Sequence, residues 1–126
     1  MSTSQADHQH AFDRSSCPVA NMLDLFGDKW TLLVVRDLIL GKSRYNEFAE
    51  SPEGIPTNIL ADRLKRLEQG GIVIKIPYCQ KPTRYQYELT EKGKDLIPVL
   101  ESMVLWATKY FPGTQVFPSY ERGAAK

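Results

Sequence analysis

A chain of 126 residues that is 42% hydrophobic can build one domain with a real core and has little room for two. Its net charge of +1 announces no polyanion partner, and no apolar run reaches bilayer-spanning length, since "LLVVRDLIL" is interrupted by Arg36 and Asp37. Residues 1–16 are polar without the apolar centre of a secretion signal, and two cysteines are too few for a disulfide framework, so the expected setting is the reducing cytoplasm.

Residues 1–16 read as a flexible tail, and the "HQH" of His8 and His10 lacks the further ligands a metal site needs. Pro18 suits a first helical position, and Val19, Met22, Leu23 and Phe26 follow at helical spacing until Gly27. Asp28 then reads as the N-cap of a second helix over about residues 29–40, which carries Trp30, Leu33, Val34 and Leu38 and ends at Gly41. Ser43 is expected to cap a short third helix holding Tyr45 and Phe48, closed by the turn "SPEG". Pro56 restarts helix, with Leu60, Leu64 and Leu67 on one stripe before Gly70-Gly71 ends it.

The period then changes from helical to alternating. "IVIKIPY" places Ile72, Ile74, Ile76 and Tyr78 on one strand face, and "RYQYEL" alternates Tyr85, Tyr87 and Leu89 with polar residues. "CQKPT" reads as the loop of a hairpin between them. Thr90 is a plausible N-cap for one long helix to about residue 111, in which Pro98 should bend a turn near Lys94. That helix is apolar over a front wider than one core contact requires. Leu100, Met103, Val104, Trp106 and Tyr110 therefore predict a helix-mediated homodimer. Residues 112–126 read as a second tail, leaving 17–111 as the folded domain.

This element order is that of a winged helix-turn-helix: mainly α, with a small β-hairpin wing and with the N-terminal and long C-terminal helices pairing two copies. The positive charge is gathered accordingly. Residues 63–84 hold Arg63, Lys65, Arg66, Lys75, Lys81 and Arg84 against Glu68 alone. Such a local concentration suits a polyanion-binding face. At about 100° per residue, the helical face opposite the leucine stripe presents Asn58, Asp62, Lys65, Gln69 and Arg66, with Thr57 at its start. Asn58 can pair with adenine, and Lys65 or Arg66 can reach guanine or phosphate. Asp62 either accepts from a cytosine amine or, as we favour, holds Arg66 four residues later. Arg44, Lys81 and Arg84 are candidate contacts to phosphate or the minor groove of a double-stranded DNA operator.

The wording of the chain also resembles a known family. "CPV", "GDKWTLLVVRDLILGKSRYNEF", "GIPTNILADRLKRLEQGGIV", "YCQKPTRYQYELTEKGKDL" and Trp106 are similar, in order, to the HxlR-type transcriptional regulators, over about residues 17–111. Asp28, Pro56 and Ala61 depart from the family's usual Gly, small polar residue and Thr. The resemblance implies a dimeric, cytoplasmic, bacterial DNA-binding regulator, a repressor in the leading reading, without cofactor.

Other classes find less support. An enzyme would need a metal-ligand cluster, a nucleotide-binding glycine loop or a nucleophile–base pair, none of which the motifs supply. A winged helix used for protein contacts would expose hydrophobes where Asn58, Asp62 and Lys65 stand. Regulation by a small aromatic ligand between the dimer helix and the winged domain stays open. Cys17 precedes Pro18 at a helix start, where free N–H groups favour the reactive thiolate, while an inert thiol is the alternative from the residues alone. The resemblance implies sensing of an oxidant or electrophile there. Cys79, in or beside the wing, is not expected to reach Cys17 within one chain.

Overall fold

The computed structural model describes residues 14–114 of the chain; His8 and His10, most of the expected front tail and residues 115–126 lie outside them. In chain order the elements are α1 (Pro18–Phe26), α2 (Thr31–Ile39), α3 (Tyr45–Ala49), α4 (Thr57–Gln69), β1 (Val73–Gln80), β2 (Thr83–Leu89), α5 (Glu91–Lys94) and α6 (Ile97–Tyr110). The helices surround a core of Phe26, Val34, Val35, Leu38, Phe48, Ile55, Leu60, Leu64, Leu67, Ile72, Val73 and Leu100. No described helix is long and apolar enough to cross a membrane.

Local chemistry sets most helix starts. Pro18 lies in the first turn of α1. The Asp28 carboxylate accepts from the backbone N–H of Trp30 (3.0 Å) and Thr31 (3.2 Å), and from the Thr31 hydroxyl, so it caps α2 from three residues ahead of its first residue. Thr90 caps α5 by accepting from Gly93 N–H at 3.1 Å. At α3 the expected Ser43 cap is replaced. Ser43 is tied to β2, its carbonyl accepting from Tyr87 N–H at 2.8 Å, and Arg44 is extended beside Gln86. The helix begins later, and Glu47 reaches back to accept from the N–H groups of Ser43 (2.8 Å) and Arg44 (2.9 Å).

Pro98 divides the expected long helix. Its ring would crowd the Lys94 carbonyl in a continuous helix, and it has no N–H to donate. The chain instead turns at Asp95 and Leu96, and α6 restarts at Ile97, placing Pro98 in a first turn where no intrahelical N–H is needed. Leu96, Leu100 and Val104, four residues apart, then pack on the core, with Leu100 only 6% exposed. Leu100 is therefore part of the single-chain core, which corrects its assignment to the dimer surface, while Val104 is half-buried against that core.

The wing also differs from expectation. β1 and β2 pair antiparallel, with Val73 opposite Leu89 and Lys75 opposite Tyr87. Val73 is buried, Tyr87 and Leu89 pack against the core, and the Phe48 and Tyr87 rings meet edge-on at 6.4 Å. The alternate face, carrying Ile74 and Ile76 opposite Glu88 and Gln86, is the outer one, and Ile74 is 47% exposed. Alternation sorts the residues into two faces, but contact with Phe48 selects which one turns inward. Cys79 and Gln80 belong to β1, so the turn is only Lys81-Pro82 rather than the whole of "CQKPT". The register shifts between Pro77 and Cys79, toward the outer end of the hairpin.

Candidate nucleic-acid interface

Three segments place α4. Tyr45 of α3 donates its hydroxyl to the Thr57 carbonyl at 2.6 Å, fixing the first turn. The turn before α4 is held to α2 by a polar cluster: Arg36 forks onto Glu53 at 2.7 and 2.8 Å and onto Asp37 at 2.9 and 3.1 Å. Asp37, 4% exposed, also accepts from the Ser51 hydroxyl, which in turn accepts from Lys42 at 2.8 Å. The Arg36 hydrogen bond holds the Glu53 carboxyl below its ordinary range. Buried Leu60, Leu64 and Leu67 anchor the inner face, and Gly70-Gly71 stops the helix, Gly71 taking a left-handed φ of 77° that side chains rarely adopt.

With that face pinned, Thr57, Asn58, Ala61, Asp62 and Lys65 are exposed on the other side. Asp62 does not hold Arg66 as expected. Its carboxylate pairs with the guanidinium of Arg63, the next residue, which also donates through Nε to Asp28 at 2.8 Å. Arg66 lies further round the helix and donates to the carbonyls of Asp24 (3.3 Å) and Leu25 (3.2 Å), near the C-terminal end of α1. A cation is favourable there, because those carbonyls carry the negative end of the α1 dipole. Burial opposes ionisation of Asp28, but the bonds from Thr31, Arg63 and Trp30 outweigh it and hold the carboxyl well below the usual range.

The remaining candidate cations lie on the wing and at the start of α3. Lys81 sits in the wing turn and Arg84 in β2, both exposed. Arg44 is exposed at the start of α3, with its guanidinium 3.8 Å from the centre of the Tyr78 ring of β1. Sequence reasoning missed this stack, since nothing local relates residues 34 apart. Lys75 lies over the Tyr85 ring at 4.3 Å. Arg63 and Arg66 thus serve the fold with part of their donor capacity, while Arg44, Lys65, Lys81 and Arg84 present charge outward.

Large apolar residues are also exposed on the first and last long helices. Val19 and Leu23 of α1 and Met103, Leu105, Trp106 and Tyr110 of α6 are exposed, as is Phe111. Leu105, 73% exposed, was not among the expected dimer residues. Cys17 stands exposed just before α1 with its thiol free, and Cys79 is a free, half-buried thiol. Among the described residues no cluster of His, Cys, Asp or Glu could hold a metal ion. The cavity beside Trp30, Leu33, Val34, Phe48 and Ile55 has room for about one water molecule, far short of an aromatic ligand.

The chain is similar to known proteins over this whole architecture. The profile of the HxlR-like helix-turn-helix family matches residues 25–115. An uncharacterized HTH-type transcriptional regulator of Mycobacterium tuberculosis is 36% identical over 107 residues, 85% of this chain and 66% of that protein, so the chain spans just under two thirds of that relative's length. Among solved structures, the redox regulator HypR in its reduced form is 36% identical, with a TM-score of 0.68 over 74% of this chain and 92% of HypR. The reduced transcriptional regulator YodB of Bacillus subtilis is 34% identical, with a TM-score of 0.64 over 79% of this chain and 98% of YodB.

Proposed function

The chain belongs to the HxlR-like helix-turn-helix family of transcriptional regulators, and from that premise we propose that it is a homodimeric repressor that occupies a double-stranded DNA operator. The observation that carries this reading is the division of α4: three buried leucines on one face, and exposed Asn58, Ala61, Asp62 and Lys65 on the other, with further exposed cations at Arg44 and, in the wing, Lys81 and Arg84. A helix entering the major groove needs this division. Thr57, Asn58 and Lys65 face base edges, and Arg66 reaches the adjoining backbone from beside α1. Asp62, neutralised by Arg63, limits repulsion of phosphate. A protein-binding helix would instead need exposed hydrophobes on this face.

The exposed apolar residues of α1 and α6, chiefly Met103, Trp106 and Tyr110, join two copies about a two-fold axis. Such a dimer fits a nearly palindromic operator with half-sites about 34 Å, or a multiple of that, apart. Cys17, exposed beside this surface, is the input. Its thiol and a peroxide give a sulfenic acid and water, and the change at the dimer surface alters the spacing of the two α4 helices. The likeness to HypR, named as a redox regulator, supports this part of the reading.

The test is DNA binding by gel shift on a selected operator across a salt series. Affinity should fall by at least about tenfold between about 50 and 200 mM salt, because phosphate contacts release counterions. A flat salt response overturns the proposal.

A further inference from the structure

The outward face of α4 is not uniformly polar. Asn58, Ala61, Asp62 and Lys65 follow at i, i+3, i+4 and i+7, a stripe about 100° wide pointing away from Leu60, Leu64 and Leu67. The Asp62 carboxylate is already engaged by Arg63. That leaves Ala61 as an exposed methyl between the amide of Asn58 and the ammonium of Lys65. A methyl can neither donate nor accept, so a base amine or carbonyl pressed against it would lose its water without gaining a partner. On the major-groove edge of DNA, the one apolar group is the C5-methyl of thymine.

Taking α4 as the helix that reads the operator, we infer that Ala61 is a specificity-determining residue that reads a thymine methyl in each half-site. Ala61 lies about 4.5 Å along the helix from Asn58, close to the ~3.4 Å base step. The thymine therefore belongs to a base pair next to the one Asn58 reads, and adenine is the base that suits an asparagine amide. The half-site is A·T-containing where the start and middle of α4 lie, with Lys65 on guanine or phosphate one turn beyond. Ala61 also keeps the helix surface low at this point, so that the Asn58 amide can approach its base. A larger residue would hold it away.

The test uses the full chain and binding-site selection from random duplex DNA. The enriched operator is then resynthesised with uracil in place of each thymine, one position at a time, which removes only the methyl. One thymine per half-site should lose about fourfold in affinity on conversion to uracil, the value of one buried methyl group, while the other thymines change little. The Ala61→Gly protein should bind the thymine and uracil operators equally. An enriched operator in which no thymine is sensitive to uracil, or an Ala61→Gly protein that keeps the discrimination, overturns this inference and leaves the DNA-binding reading standing. Failure to enrich any sequence overturns that reading and the inference together. The uracil series needs only the wild-type protein, so it does not depend on the folding of the variant.

Discussion

Arg63 donates through Nε to the Asp28 carboxylate at 2.8 Å, joining the flank of the outward-facing helix α4 to the start of α2. The same carboxylate caps α2, so one acidic group both starts a helix and aims its neighbour. Burial resists its ionisation, yet the bonds from Thr31, Arg63 and Trp30 bring it well below its ordinary value of 3.8. The unfolded chain therefore takes up this proton at a higher pH than the folded chain. The contribution to stability is complete above about pH 4 and is lost as pH falls toward the folded value. Asp28→Asn should lower the thermal midpoint at neutral pH by several degrees and flatten its decline below about pH 4. Some acid sensitivity will remain through Glu53, whose carboxyl is lowered by its Arg36 bond. Thermal unfolding followed at several pH values reads both effects; an unchanged acid slope in the variant rules out this linkage.

The stack of Arg44 on Tyr78, at 3.8 Å, makes a second testable link, between the start of α3 and the wing. Both residues are exposed, so the stack orients the guanidinium without removing it from solvent. Arg44→Ala should weaken operator binding and reduce the salt slope by about one, with little change in sequence preference. Tyr78→Leu should keep the slope, because the charge remains, while raising the dissociation constant by severalfold through loss of orientation. Equal slopes for wild type and Arg44→Ala would place Arg44 off the DNA.

On α6, the core face and the free face answer different experiments. Leu100 is 6% exposed and Trp106 58% exposed. Leu100→Ala should cost about 2–5 kcal/mol of folding stability, the usual range for emptying a buried leucine site. Trp106→Ala should leave the fold intact and shift the chain toward monomer in sedimentation, since large aromatics dominate such contacts. A Trp106→Ala protein that remains fully dimeric at low concentration removes this face from the interface.

These contrasts show which features were legible from the residues alone. Pro18, Asp28 and Thr90 act within a few residues of themselves, so the helix starts they govern follow from local chemistry. The leucine stripe of α4 is likewise local, and it correctly turns Asn58 and Lys65 outward. Three features were not local. Ser43 lost its capping role because its carbonyl is bonded to β2 and the helix starts after Arg44. Asp62 turned to Arg63, which was already held by Asp28, a partner 35 residues away. And α6 is apolar on several sides, so periodicity could not tell the stripe of Leu100 and Val104 from the flank of Met103, Trp106 and Tyr110. In each case a distant segment made the choice.

The two thiols separate most cleanly of all. Cys17 is exposed immediately before α1, whose Val19 and Leu23 are 66% and 54% exposed, while Cys79 is half-buried within β1 opposite Arg84. Access governs reaction with peroxide as much as chemistry does, so Cys17 should be modified first. Its sulfenic acid adds a polar oxygen beside an apolar surface, and a second Cys17 in the partner copy offers a thiol for condensation to a disulfide with loss of water. Peroxide or diamide should therefore weaken operator binding of the wild type and of Cys79→Ser, with recovery on adding a dithiol. Cys17→Ser should bind normally and stay insensitive to both oxidants. Mass spectrometry of the intact protein should place the first added oxygen, or the first intermolecular crosslink, at residue 17. If Cys17→Ser loses binding to the same extent as the wild type, the thiol before α1 is not the input.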